Sequence, residues 1–296
     1  MSTELFKSWL RRFVDLFPQR PPVVSVLHLS GVIATSTRIH SGLNLATLAP
    51  FIEAAFRQRR TQAVALAINS PGGSPVQTSL IARRIRSLSK EHEIPVIAFV
   101  EDVAASGGYW LACVADEIYA DESSIIGSIG VVASSFGFVE MMQKLGVERR
   151  IHTQGDKKSL LDPFSPEKPA DVRRLALLQR DIFETFKDAV REYRGEKLTL
   201  AERQAFSGEI WTGSKALEYG LIDGIGDLRS VMRERYGEEV RFKVISRESG
   251  LLSRLLSRRF SGSTCAAPKV SLVPSNWADQ LISAVEARTF WSRFGL

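Results

Sequence analysis

Apolar residues along the chain fall into short unbroken runs that alternate with longer periodic stretches. Residues 64–68 and 96–100 are continuous in Val, Ile, Leu, Ala and Phe, the pattern of strands buried on both faces. Residues 23–32, apolar but broken by Ser25, His28, Ser30 and Gly31, read as a first strand. Between them, residues 43–57 and 75–90 repeat apolar side chains at three- and four-residue spacing, which predicts helices. The stretch after Ser106 reads as another helix. This βα alternation predicts an α/β fold. Residues 118–120, 125–132, 147–153 and 240–245 are further strand candidates. Residues 166–193 form a long amphipathic pattern ended by Gly195, with a stripe of Leu175, Leu178, Ile182, Phe183, Phe186 and Val190 suited to a core or subunit contact. Residues 198–206, 213–219 and 228–236 also read as helical, and there is no internal repeat.

The ends of the chain are patterned differently. Pro18-Gln19-Arg20-Pro21-Pro22 separates an arm, residues 1–20, from a domain expected over 21–246, followed by a basic tail over 247–296. In the arm, Leu5, Phe6, Trp9, Leu10, Phe13, Val14, Leu16 and Phe17 share one side of a helical wheel. Glu4, Lys7, Ser8, Arg11, Arg12 and Asp15 share the other. Such a helix either docks on protein or lies in a membrane interface. In the tail, 251–260 and 276–294 read as helices joined by a linker over 261–268.

A chain of 296 residues, 44% hydrophobic and 24% charged, fits a compact enzyme with a sizeable core. The net charge of +6 comes from the arm (+2) and the tail (+4), leaving the domain neutral. No nucleic-acid-binding core is indicated. Cys113 and Cys265 make no disulfide framework. No motif for a metal or nucleotide occurs, so neither metal nor cofactor is expected. No run of 18 apolar residues and no clear signal peptide are present. A cytoplasmic location follows as an expectation, with peripheral membrane contact through residues 4–17 as one use of the arm.

The chemistry-bearing residues cluster where runs end. Ser106, in Ala104-Ala105-Ser106-Gly107-Gly108-Tyr109, stands at a strand–turn–helix junction. A serine there is ordinarily a helix N-cap, but the setting also suits a nucleophile. Asn69-Ser70-Pro71-Gly72-Gly73-Ser74 follows another apolar run. It is either a plain turn or a source of backbone N–H groups for an oxyanion. Gly127-Ser128-Ile129-Gly130-Val131 reads as a strand end or bulge. Of the four histidines, His28, His40, His92 and His152, none lies in a triad motif. A lysine can act as the base if burial lowers its pKa. Lys157 and Lys158, in Gly155-Asp156-Lys157-Lys158-Ser159, are the candidates, against the ordinary reading of two solvated lysines.

These segments, together with Asp102-Val103 ahead of the Ser106 turn, Trp211-Thr212-Gly213-Ser214-Lys215-Ala216 and Gly220-Leu221-Ile222-Asp223, resemble in order the signal peptide peptidase family of serine proteases, the protease IV group. The resemblance runs over roughly residues 22–246. It implies a Clp protease/crotonase-like fold, a Ser–Lys dyad and no cofactor. By position, Ser106 matches the nucleophile and Lys158, third after Gly155, the general base; a one-residue slip would exchange Lys158 with Lys157. Ser128 resembles the auxiliary serine, and the Gly73 and Gly107 amides the oxyanion hole. The resemblance further implies peptide or protein substrates, such as signal-peptide remnants, and a homo-oligomer. The competing readings are a crotonase-type acyl-CoA enzyme and a catalytically silent, membrane-associated scaffold.

Overall fold

The computed structural model describes residues 21–35, 42–155 and 157–245, with Trp291, Ser292 and Phe294. The predicted helix over 4–17, the tail helix over 251–260 and most of that over 276–294 lie outside the described residues.

Eight strands form one sheet: β1 (Val23–Ser30), β2 (Thr61–Ser70), β3 (Val96–Ala105), β4 (Glu117–Ala120), β5 (Ile125–Gly127), β6 (Ile210–Thr212), β7 (Gly224–Ile225) and β8 (Arg241–Val244). The order is β6-β5-β3-β2-β1-β8, with β4 pairing to β3 and β7. Pairings are parallel except β5 with β6. The helices are α1 (Leu45–Arg57), α2 (Pro75–His92), α3 (Gly107–Cys113), α4 (Val139–Lys144), α5 (Pro169–Arg194), α6 (Glu202–Ala205), α7 (Gly213–Glu218) and α8 (Leu228–Tyr236). The expected α/β class is therefore observed.

The strand runs are continuous because both sheet faces are covered. On one face Leu27, Leu29, Leu66, Ile68 and Ala98 pack under Ile52, Phe56, Ile81 and Ile85 of α1 and α2. On the other, Val24, Ala63, Ala65 and Ile97 pack with Met232 of α8. Among the described residues α8 is the helix over that second face, and its cover ends near His28, which is exposed.

Two strand expectations need correction. Residues 147–153 form no strand; Val147 and Ile151 are 54% and 41% exposed, and no sheet edge pairs with them. The strand expected over 125–132 stops at Gly127, where φ values of 117° at Gly127 and 53° at Ser128 end the extended backbone. The long helix keeps its stripe in part. Phe186 and Val190 are buried, whereas Leu178 is 54% exposed.

Candidate active site

β3 delivers Ser106 to the top of the sheet and α3 begins at the next residue. Ser106 adopts φ 52° and ψ −122° and makes no side-chain capping bond, so its hydroxyl is not used as an N-cap. A non-glycine residue held there costs about 1–3 kcal/mol, and such strain gathers at functional sites. The turn is fixed from both sides: the Ser106 N–H donates to the Gly127 carbonyl (2.8 Å), and the Trp110 N–H donates to the Ser106 carbonyl (3.0 Å).

The loop after β2 packs directly against this turn. A Cβ on Gly72 would lie 2.8 Å from both the Gly107 nitrogen and the Ser106 Cβ. At Gly73, with φ 140°, a Cβ would run into the Ile33 carbonyl. Only glycine permits this approach. The Gly73 nitrogen is 3.5 Å from where a Gly107 Cβ would stand, so the two glycines are close neighbours. Ser70 secures the loop, donating to the Gly31 carbonyl (2.7 Å) and accepting from the Gly72 N–H (3.2 Å). Beside it, Asn69 Nδ2 donates to Asp102 Oδ2 (2.6 Å).

Ser106, Gly73, Gly107 and Ser128 all line one cleft of about 820 Å³. Its walls are largely apolar, from Val32, Ile33, Trp110, Val131, Ile182 and Phe186. The Trp110 and Phe186 rings stack at 5.1 Å. Phe294 lines the same cleft. Ile33, Ile182 and Phe186 carry no local signal of a site role; only the helical stripe containing the latter two was visible. Lys158 is elsewhere. It does not line the cleft and is exposed, as is Lys157; its N–H donates to the Gly155 carbonyl (3.1 Å). Among the described residues no His/Cys/Asp/Glu group is arranged to hold a metal ion.

Beneath the cleft, α3 is tied to the Gly220-Leu221-Ile222-Asp223 turn. The Tyr109 hydroxyl donates to the Leu221 carbonyl (2.8 Å). Arg194, 2% exposed, pairs with Asp223 Oδ2 at 2.7 Å and donates to the Gly220 carbonyl. Burial alone would push the Asp223 carboxyl up, but bonds from Arg194 and Lys197 outweigh it and hold the pKa below its ordinary value. Burial pushes the Cys113 thiol up to about 12, so it is packing rather than a nucleophile.

The model of peptidase family S49 matches residues 89–239, about half of the chain. The chain belongs to this family. The match takes in Ser106, Gly107, Ser128 and Lys158, and S49 membership with a βα-built, largely parallel sheet agrees with the expected Clp protease/crotonase-like fold. A Brucella abortus (strain 2308) protein named Na(+)/H(+) antiporter NhaA is 48% identical over 274 residues, 92% of this chain and 37% of that protein. Protease 4 of Haemophilus influenzae (strain ATCC 51907 / DSM 11121 / KW20 / Rd) is 31% identical over 217 residues, 72% of this chain and 34% of that protein. The chain thus spans about a third of the length of these two relatives. A solved mutant of the membrane-bound stomatin-specific protease 1510-N, in complex with a substrate peptide, is 19% identical, covering 81% of this chain and 98% of that one with a TM-score of 0.48.

Proposed function

We propose that this chain is a serine endopeptidase in which Ser106 is the nucleophile and Lys158 the general base. The observation that carries the reading is the strained, uncapped Ser106 in an apolar cleft, against paired glycine amides. In the reaction, neutral Lys158 takes the hydroxyl proton as Ser106 Oγ attacks a peptide carbonyl. The Gly73 and Gly107 N–H groups receive the oxyanion; each such donor is ordinarily worth about 3–4 kcal/mol. Lysinium then protonates the leaving amine, and water cleaves the acyl-enzyme. Ser128 orients the lysine by hydrogen bonding.

The exposed placement of Lys158 supports a dyad completed by a second copy of the chain. The segment carrying it also exposes Val132, Phe136, Leu145 and Val147, Phe136 by 79%, an unusual amount of apolar surface for a monomer. Packing that surface against a neighbour would bring Lys158 toward a second cleft and out of water, as a lysine base requires. The apolar cleft walls suit extended apolar peptides, including signal-peptide remnants and other membrane-derived segments. The reading includes a cytoplasmic location. Among the described residues no helix is long and apolar enough to cross a membrane, and the antiporter name of the Brucella relative describes a protein of which the match covers 37%.

A fluorophosphonate probe and an apolar reporter peptide test the proposal. Wild-type protein is expected to label and cleave, and Ser106→Ala to do neither. Acyl-CoA turnover without peptide cleavage would favour the crotonase-type alternative, and the absence of both activities the scaffold.

A further inference from the structure

The second sheet face carries an open groove of about 850 Å³, away from Ser106. It lies where the cover of α8 ends. Its floor is Val26, Ala67 and Phe99, and Ile225 and Val244 stand 37% and 53% exposed at its walls. Around this apolar strip are four carboxylates, Glu101, Asp102, Asp121 and Asp227. None of the four makes an ion pair among the described residues. Arg229, the one basic residue of the lining other than His28, lies over the Phe242 ring. Asp102, Asp121 and Asp227 accept hydrogen bonds from Asn69, the Ser123 N–H and the N–H groups of Arg229 and Ser230, but their charges are not neutralised by a cation. An apolar floor with a net acidic rim suits an apolar segment flanked by cations.

We infer that the groove is the docking site of this chain's own residues 4–17. That segment puts Leu5, Phe6, Trp9, Leu10, Phe13, Val14, Leu16 and Phe17 on one side of a helical wheel, with Lys7, Arg11 and Arg12 on the other. As a helix its 14 residues extend about 21 Å. The chain it leads into also arrives at the right place. β1 begins at Val23, and Val26, a groove residue, is three positions further on, about 10 Å along the strand. The five residues 18–22 reach up to about 17 Å, enough to turn the segment back onto the face. Docking covers the exposed walls; Lys7 and Arg12, which flank the apolar side of the wheel, meet Glu101 and its neighbours, while Arg11 faces away from the groove.

The test is photo-crosslinking in the full chain. Trp9 is replaced by p-benzoylphenylalanine, and ¹⁴N- and ¹⁵N-labelled proteins are mixed so that crosslinks within one chain are distinguished from those between copies. Irradiation is carried out with and without phosphatidylglycerol vesicles. The expected product is an intrachain crosslink to peptides containing Val26–His28, Phe99–Asp102 or Phe242–Val244, in both conditions. Glu101→Lys should lower its yield several-fold, and the reciprocal pair Glu101→Lys with Arg12→Glu should restore it. Crosslinks to a second copy, to lipid in place of the groove, or to no protein site overturn the inference. So would a groove crosslink from a benzoylphenylalanine placed in residues 251–260 with none from position 9.

Discussion

The turn carrying Ser106 is bounded by buried residues on both sides, 103–105 and 107–115. Residues 143–155 and 157–159, which carry Lys158, are exposed throughout. The first region is determined within the single chain: β3, the Gly72-Gly73 loop and α3 close around Ser106 at van der Waals distance. The second has no comparable packing. A nucleophile and an oxyanion hole must be preorganised to a fraction of an ångström, and the packing around Ser106 is of the kind its proposed role requires. A base that must lose water to work gains from arriving with the surface that excludes it. The contrast teaches that the chain packs the Ser106 turn rigidly and leaves the segment of the proposed base, Lys158, exposed.

The largest expected effect removes the packed half. Ser106→Ala should lower turnover by at least about 10⁴-fold, with circular dichroism and assembly size unchanged, since one deleted hydroxyl leaves almost no cavity. Near-normal turnover would remove Ser106 from its role. On the exposed half, Lys158→Ala should cost several orders of magnitude and Lys157→Ala little; the reverse, in matched kinetics, would shift the base by one residue. Turnover of the wild type should rise from neutral to alkaline pH, because the base acts when neutral.

The support beneath the packed half has its own signature. Asp223→Asn leaves Arg194 buried without its charge partner, which should cost about 3–5 kcal/mol in urea unfolding. The pH dependence has a definite sign. The Asp223 carboxyl titrates below its ordinary value in the folded chain. Its contribution is therefore complete above about pH 3.9, the unfolded value, and is lost as pH falls through the lower folded one. Acid unfolding of Asp223→Asn should accordingly show a shallower limb in that window; an unchanged limb would refute the assignment. A smaller effect is expected from Gly73→Ala, whose methyl meets the Ile33 carbonyl and displaces one oxyanion donor. It should reduce turnover about 10²–10³-fold and also lower stability, since the methyl meets backbone at a positive φ.

What could be read in advance follows the same division. β1, β2, β3 and their helices were legible because buried parallel strands and amphipathic helices write their periods into the sequence. The glycine pairs and Ser106 were legible because close backbone approach demands particular residue types. β6 and β7, with three and two residues, are too short to carry a period. The expected strand at 147–153 failed because Val147 and Ile151, apolar as they are, have no sheet edge to pair with. The cleft walls of Ile33, Trp110 and Phe186 come from three distant segments, and only the folded topology joins them. Where Lys158 stands relative to Ser106 has no local signature at all.

Subunit mixing tests the central claim most directly. Ser106→Ala and Lys158→Ala proteins, each inactive alone, are unfolded, mixed in equal amounts and refolded together, and peptide hydrolysis is measured. A dyad completed between copies predicts recovery of about a quarter of wild-type activity, the random share of sites that draw an intact serine from one copy and an intact lysine from its neighbour. No recovery, from assemblies shown to contain both variants, would place both residues of each dyad in one chain and contradict the account.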